Sequence, residues 1–199
     1  MGQLIGLVLC GGKSARMGKD KGTIIYEGNP WVKIASDKLS KLRMNVVISV
    51  NQLQKAIYQA LLPDHTLVID LPSQKVKGPM LGILSTHLAF PEDDIFILAC
   101  DLLLINEDLL KEIYDAYNNR HNIEVILCYI SGEPEPMCGI YKVDGLRKIH
   151  NLFTNKETNN YSIKGMLECL HIHEINLTEK QSVNFKNFND DKTLRDVFH

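Results

Sequence analysis

The chain has 199 residues and a formal net charge of -2 at pH 7, a length that predicts one domain over residues 1–199 with a sizeable core. Hydrophobic residues make up 45% and charged residues 23%, as in an ordinary globular protein. The near-neutral charge gives no global attraction for nucleic acid or for an acidic membrane surface, so any anion-binding site must be local.

Short apolar runs rich in β-branched residues alternate with segments of helical period, and this alternation predicts strands and helices. Asn29 is the predicted N-cap of the first helix, and Leu88 is predicted to face the core. The predicted strands cover residues 4–10, 46–50, 66–70, 95–100, 124–130, 137–141 and 172–177. The predicted helices cover residues 30–42, 52–61, 79–90, 107–117, 146–153 and 162–170, with a closing helix from about residue 190.

The first four strand–helix units have continuous apolar strands, which is typical of a parallel sheet covered on both faces. The sequence therefore predicts an α/β fold, a Rossmann-like three-layer sandwich with a mainly parallel sheet. Ligands of such sheets bind beyond the carboxyl ends of the strands. That rule selects the glycine-rich segment 11–21, Asn51, Asp70 and Asp101.

The five cysteines form no C-x-x-C pair and most lie in apolar runs. Their odd number predicts buried free thiols in a reducing compartment rather than disulfides or a zinc site. The apolar run 4–10 is too short to span a bilayer and lacks the basic flank of a signal peptide. We therefore expect a cytoplasmic protein without a membrane partner.

The segment after the first strand combines glycines with basic residues. Gly11 and Gly12 would let the backbone turn tightly and present N–H groups to phosphate oxygens. Arg16 and Lys21 would supply charge to a triphosphate. Neither the Walker A spacing nor G-x-G-x-x-G is present, so these residues alone leave a solvated surface loop as an equal alternative.

Asp101 follows the fourth predicted strand. A carboxylate in this position can hold Mg²⁺, which shields the charge of a triphosphate and polarises its α-phosphate. The alternative is a turn residue, since aspartate is common where strands end. A basic glycine-rich segment at the same edge favours the metal site.

The run from Leu9 to Lys21, LCGGKSARMGKDK, resembles the L-[AS]-G-G-x-x-x-R-M-G-x-D-K signature of the molybdenum cofactor guanylyltransferases, the molybdopterin-guanine dinucleotide biosynthesis proteins A. Other segments resemble further motifs of this family in the same order. They are G-P-M-L-G at 78–82, A-C-D at 99–101, P-M-C-G-I-Y at 136–141 and N-F-N at 187–189. The resemblance therefore spans nearly the whole chain.

The resemblance implies a nucleotidyltransferase fold of the glycosyltransferase-A-like type and the transfer of GMP from GTP to molybdopterin, with release of pyrophosphate. It implies Mg²⁺ as the cofactor, and molybdoenzyme maturation proteins as further partners. The residues that it implies for nucleotide or acceptor binding are Leu9, Cys10, Gly11, Gly12, Lys21, Asn51, Asp70, Gly78, Gly82, Asn187 and Asn189. Those that it implies for catalysis are Arg16, Lys21 and Asp101, of which Asp101 would also bind the metal.

One departure from the family pattern concerns the metal site. Leu102-Leu103 stands where the family commonly has M-P or T-P, and losing a proline is expected to free the loop that carries Asp101. This feature favours one alternative, a non-catalytic protein that binds a nucleotide or the cofactor. A cytidylyltransferase for the same cofactor, or a related NTP transferase, is the other.

Overall fold

The computed structural model describes residues 2–10, 20–72, 76–119, 122–155, 158 and 160–186. The strands are β1 (Leu4–Leu9), β2 (Ile25–Tyr26), β3 (Asn29–Pro30), β4 (Val46–Val50), β5 (Thr66–Ile69), β6 (Asp94–Ala99), β7 (Val125–Ile130), β8 (Glu133–Tyr141) and β9 (Ile172–Asn176). The helices are α1 (Trp31–Ser40), α2 (Lys55–Leu61), α3 (Pro79–Ala89), α4 (Glu107–Asn119), α5 (Val143–Thr154), α6 (Ile163–Leu167) and α7 (Glu179–Ser182). Short 3₁₀ turns cover Lys21–Thr23 and Val183–Phe185.

Seven strands form one sheet in the order β5-β4-β1-β6-β8-β7-β9. β1 lies at the centre of a parallel block with β4, β5 and β6. β8 runs antiparallel to both of its neighbours, and β9 is parallel to β7. The continuous apolar character of β1 and β6 follows from this arrangement, because five of the six residues in each strand are buried.

Helices cover both faces of the sheet. Alternate side chains of β1 point to opposite faces, as the twofold period of a strand requires: Val8 belongs to the core with α1, α2 and α4, whereas Leu7 belongs to the core with α3, α5 and α6. The predicted three-layer sandwich is thereby confirmed. In the described ranges, every helix is too short or too polar to cross a membrane.

The start of the first helix differs from its prediction. Asn29 and Pro30 pair with β2 instead, around a turn in which Glu27 and Gly28 have φ angles of 47° and 79°. Pro30 therefore becomes the N-cap of α1, with no side-chain capping bond, and the Trp31 N–H donates to the Ile24 carbonyl at 2.9 Å.

One further prediction is wrong, and another concerns residues outside the described ranges. Leu88 was predicted to face the core, but 46% of its surface is exposed because it lies on the outer side of α3. The closing helix predicted from about residue 190 lies outside the described residues.

Four of the five cysteines are buried and all five are free thiols, as predicted.

Candidate active site

The parallel block brings the predicted site positions to one edge. The Cys10 N–H donates to the Ser49 carbonyl at 3.3 Å, and the Cys100 N–H donates to the Leu9 carbonyl at 3.2 Å. The Asp70 N–H donates to the Val50 carbonyl at 2.9 Å. These bonds extend the ladder one residue past each strand, so the polar residues follow directly at the carboxyl edge.

Lys21 and Asp101 meet at this edge although 80 positions separate them in the sequence. The Lys21 ammonium Nζ donates to the Asp101 carboxylate Oδ2 at 2.9 Å. The side chains are 23% and 20% exposed, so both groups are reachable from solvent. A cation and a carboxylate placed in this way can contact phosphate oxygens and a phosphate-bound metal, respectively.

Asp101 fits Mg²⁺ of the kind that nucleoside triphosphates carry. Mg²⁺ takes oxygen ligands and is usually held by one or two carboxylates, with substrate phosphates and waters filling the remaining positions. In the part of the chain that the structure describes, no group of three or more His, Cys, Asp or Glu side chains could hold a metal by itself. By the usual coordination of Mg²⁺, Asp101 would share the ion with a bound triphosphate and water.

The loop after Asp101 is anchored, which contradicts the expectation that the lost proline frees it. The side chains of Leu102 and Leu103 are 2% and 8% exposed. The Leu102 N–H donates to the Ala99 carbonyl at 3.2 Å, and the Lys38 ammonium donates to the Leu103 carbonyl at 2.5 Å. Burial lowers the pKa of Lys38 from 10.5 to about 8. Apolar packing holds this loop in place of a proline. The missing proline is therefore no argument for the alternative of a non-catalytic binding protein.

Asn51 begins the turn into α2. Its side-chain Oδ1 accepts from the backbone N–H groups of Leu53 and Gln54, at 2.9 and 3.1 Å. The carbonyl oxygen of the amide is therefore used within the protein. A contact between Asn51 and a nucleotide, as the family resemblance implies, would come from its amide nitrogen.

Asp70 lies half-buried at the end of β5. Ser49 Oγ donates to its Oδ1 at 2.7 Å. Burial raises the pKa of Asp70, and the bond from Ser49 partly offsets that rise. The carboxylate is thus oriented by a neighbouring strand and only partly hydrated, which strengthens any hydrogen bond that it accepts from a ligand.

α3 approaches the sheet at this same edge. Gly78 precedes the helix with a φ of 63°, a backbone conformation that favours glycine. A Cβ at Gly82 would lie 2.4 Å from Ser49 Oγ and 2.8 Å from Leu9 Cδ2. Gly82 therefore lets the helix pack directly on β1 and β4, which brings the first turn of α3 to the carboxyl edge.

Replacing Gly82 with alanine is expected to lower the free energy of unfolding by about 1–3 kcal/mol, the range for overpacking. In an exposed helix the same change usually stabilises by about 1 kcal/mol, but the contacts with Ser49 and Leu9 reverse the sign. Urea unfolding measures the effect. The exposed Ser40→Ala change in α1 is the control and should stay within about 0.5 kcal/mol of wild type. A Gly82→Ala chain as stable as wild type would contradict the close packing.

Leu9 and Cys10 are buried, and the sheet and α2 use part of their backbone. The Leu9 carbonyl accepts from Cys100, and the Cys10 N–H donates to Ser49. The Cys10 carbonyl accepts from Gln54 Nε2 at 3.3 Å. Contact between these two residues and a nucleotide stays a prediction. The remaining predicted site residues, Gly11, Gly12, Arg16, Asn187 and Asn189, lie outside the described residues.

Sequence reasoning missed a group of polar residues behind the ion pair. Asp20 accepts hydrogen bonds from the side chains of Gln54 and Tyr58, at 2.6 and 2.7 Å. Gln54 and Tyr58 are both buried and lie four positions apart, so they share one face of α2 and its leading turn. The sequence carries no signal for this group, because the partners lie 34 and 38 positions from Asp20 and meet it only through tertiary packing.

Comparison with known proteins agrees with this architecture. A family profile described as "MobA-like NTP transferase domain" matches residues 6–170. The "Molybdenum cofactor biosynthesis bifunctional protein" of Synechocystis sp. is 34% identical over 188 residues, which cover 91% of this chain and 51% of that protein. The chain thus spans about half of that relative.

Two other similar proteins match over nearly their whole length. The "Probable molybdenum cofactor guanylyltransferase" of Methanocaldococcus jannaschii is 27% identical over 201 residues, which cover 97% of each chain. The crystal structure of molybdopterin-guanine dinucleotide biosynthesis protein A from Archaeoglobus fulgidus superposes with a TM-score of 0.76 at 18% identity, covering 96% of this chain and 95% of that one. The predicted nucleotidyltransferase fold is confirmed, and the chain belongs to the family of MobA-like NTP transferase domains.

Proposed function

We propose that this nucleotidyltransferase transfers GMP from GTP to the terminal phosphate of molybdopterin. The observation that carries the proposal is the Lys21–Asp101 pair at the carboxyl edge of the sheet, in a chain whose full-length relative from M. jannaschii is named a molybdenum cofactor guanylyltransferase. An oxygen of the acceptor phosphate forms a bond to the α-phosphorus of GTP. The bond from that phosphorus to the bridging oxygen breaks, and pyrophosphate leaves with the electron pair.

The protein contributes positioning and charge to this reaction. The acceptor phosphate is already an anion, so the chain needs to supply neither a nucleophile nor a base. Lys21 would place its ammonium on the phosphate oxygens and reduce the repulsion between two anions. Asp101 would hold Mg²⁺, which neutralises charge on the triphosphate when it is bound. The ion pair keeps both groups at the same place before the substrates arrive.

Asp70 gives a physical basis for a preference for guanine. Guanine presents N1–H and the N2 amino group side by side, and a carboxylate can accept from both. Adenine lacks this pair of adjacent donors. The carboxylate of Asp70 is oriented by Ser49 at 2.7 Å, and in this proposal that orientation would precede binding of the base.

Asp70→Asn is expected to weaken GTP binding by about 10- to 100-fold, because a hydrogen bond to a charged acceptor contributes about 1.5–3 kcal/mol. Binding of ATP should change little. Isothermal calorimetry with each nucleotide measures both values. Asp64→Asn, which alters an exposed carboxylate far from the site edge, is the matched control. An Asp70→Asn chain with unchanged GTP affinity and selectivity would rule out this role.

The same carboxylate sets an acidic limit on GTP binding. Burial raises the pKa of Asp70, so as the pH falls this group takes up a proton before an ordinary aspartate does. The protonated acid accepts less well from guanine. As the pH decreases, GTP affinity should therefore begin to fall at a pH above the range in which ordinary aspartates titrate. In Asp70→Asn that decrease should be absent.

Pyrophosphate release with each of the four NTPs and molybdopterin tests the proposed function. We expect release with GTP alone. Release with CTP alone would identify a cytidylyltransferase. Binding of GTP without release would identify a non-catalytic accessory protein.

A further inference from the structure

Gln54 is a buried amide that contacts both sides of the glycine-rich run. Its Nε2 donates to the Asp20 carboxylate Oδ2 at 2.6 Å and to the Cys10 carbonyl at 3.3 Å. Its Oε1 accepts from the Asn51 backbone N–H at 2.8 Å. Both N–H groups of the amide and its carbonyl are thus used, and only 8% of the residue is exposed. A buried polar group satisfied in this way is rigidly placed.

Asp20 is held from its other side as well. Its Oδ1 accepts from the Tyr58 hydroxyl at 2.7 Å and from the Gly22 N–H at 3.1 Å. Burial raises the pKa of Tyr58 and keeps its hydroxyl protonated as a donor. A Cβ at Gly22 would lie 2.1 Å from the Tyr58 oxygen, so the backbone lies directly against this hydroxyl. Asp20 therefore cannot shift without breaking several bonds.

The network continues directly into the candidate active site. Lys21 follows Asp20 in the chain and reaches Asp101. Cys10 directly follows β1, whose neighbour β6 leads into Asp101 through Cys100. Gln54 thus joins the residue before Lys21 to the strand beside Asp101. Small changes in the relative placement of catalytic groups can cost about 100-fold in rate.

We propose that Gln54 is a positioning residue for nucleotidyl transfer, which sets Lys21 relative to Asp101 by holding Asp20 against the turn at Asn51 and against the end of β1. The inference rests on the proposed function, because it assigns Lys21 to the phosphates. Gln54 itself touches neither substrate nor metal in this role. Its effect passes through the Asp20 carboxylate.

The positioning role of Gln54 is tested by exchanging its amide with the carboxylate of Asp20. Gln54→Glu places a second carboxylate against Asp20, and Asp20→Asn places an amide nitrogen against the Gln54 amide. Each single change removes the bond. In the double variant, the new asparagine amide can donate to the new glutamate, whose other oxygen still accepts from Asn51. The bond to the Cys10 carbonyl stays lost, because glutamate has no donor, so the recovery is expected to be partial. The carbonyl oxygen at position 20 still accepts from Tyr58 and Gly22.

Each single variant is expected to lower kcat by about 10- to 100-fold and to weaken binding of Mg²⁺-GTP, and the double variant should recover to within about 10-fold of wild type. Each rate is divided by the concentration of folded protein and is measured at a temperature below the unfolding midpoint of every variant. Gln59→Glu, the same change on the exposed side of α2, should leave kcat unchanged. If either single variant fails to fold, Tyr58→Phe removes one bond to Asp20 without adding charge and should also lower kcat.

Two results would overturn the positioning role. One is a normal kcat per folded molecule in the single variants, which is what a purely structural role would give. The other is a double variant whose fold-loss in kcat equals the product of the two single fold-losses, as for independent sites. A wild-type chain that binds Mg²⁺-GTP but has no turnover would overturn only the proposed function, because the affinities of the four proteins still test Gln54. A wild-type chain that binds no nucleotide would overturn both.

Discussion

Asp101→Asn is expected to reduce kcat by about 100-fold or more while the chain stays folded. The change keeps the size of the side chain and removes the charge that would hold Mg²⁺, and loss of one group that stabilises transition-state charge typically costs 10²–10³-fold. Pyrophosphate release at saturating GTP and molybdopterin measures the rate. A titration with Mg²⁺ should also show a higher metal requirement.

The fold should tolerate this substitution. Asp101 is partly exposed, and ion pairs of that kind contribute roughly 0–1 kcal/mol to stability. Asp37→Asn, which removes an exposed carboxylate paired with Lys33 on α1, is the matched control and should retain wild-type kcat. An Asp101→Asn chain with the wild-type rate and metal requirement would remove Asp101 from the mechanism.

Lys21→Met is expected to lower kcat by about 100-fold, with a weaker affinity for GTP. Methionine keeps most of the hydrocarbon side chain but cannot neutralise phosphate charge. Lys21→Arg should retain more activity, since it keeps the charge but alters its geometry. Steady-state rates and equilibrium binding of GTP measure the two effects separately.

The control for Lys21→Met is the same substitution at an exposed lysine outside the site. Lys33→Met removes the exposed partner of Asp37 on α1 and should leave both kcat and GTP affinity unchanged. Wild-type values for both quantities in Lys21→Met would show that the ammonium acts on neither the phosphates nor the transition state.

Much of the fold could be predicted because its central strands carry their own signal. β1, β4 and β6 are buried on both faces, so each forms a mainly apolar run. A polar or glycine residue follows β4 directly, and follows β1 and β6 after one cysteine. That signal placed Gly11, Asn51 and Asp101 at one edge without any knowledge of strand order, whereas Asp70 follows β5, of which only Val68 is buried.

The sequence could not predict features that depend on contacts between distant residues. The pairing of β2 with β3 uses two residues from each strand, too few for a periodic pattern, so Asn29 looked like a helix cap. The exposure of Leu88 depends on which neighbours cover α3. The sequence at Leu102 and Leu103 predicts a freer loop because a proline is missing there. What anchors the loop is the burial of both side chains and the bond from Lys38, and both depend on tertiary contacts.

The group around Asp20 shows the same limit. Its partners Gln54 and Tyr58 lie 34 and 38 positions away, and the hydrogen bonds form only when α2 packs beside the end of β1. The motif at 9–21 contains Asp20 but does not tell which side chains hold it. The sequence indicated Lys21 and Asp101 as separate site residues, whereas the structure added both their ion pair and the group of residues that supports it.

Transfer of a label from GTP tests the central claim most directly. The folded protein is incubated with Mg²⁺, molybdopterin and GTP labelled on the α-phosphate, and the products are separated. We predict that the label appears in molybdopterin guanine dinucleotide while the released pyrophosphate is unlabelled, and that CTP labelled in the same way gives no such product. A folded chain that binds GTP and leaves all of the label in GTP, or that transfers the label from CTP instead, would contradict guanylyl transfer by this site.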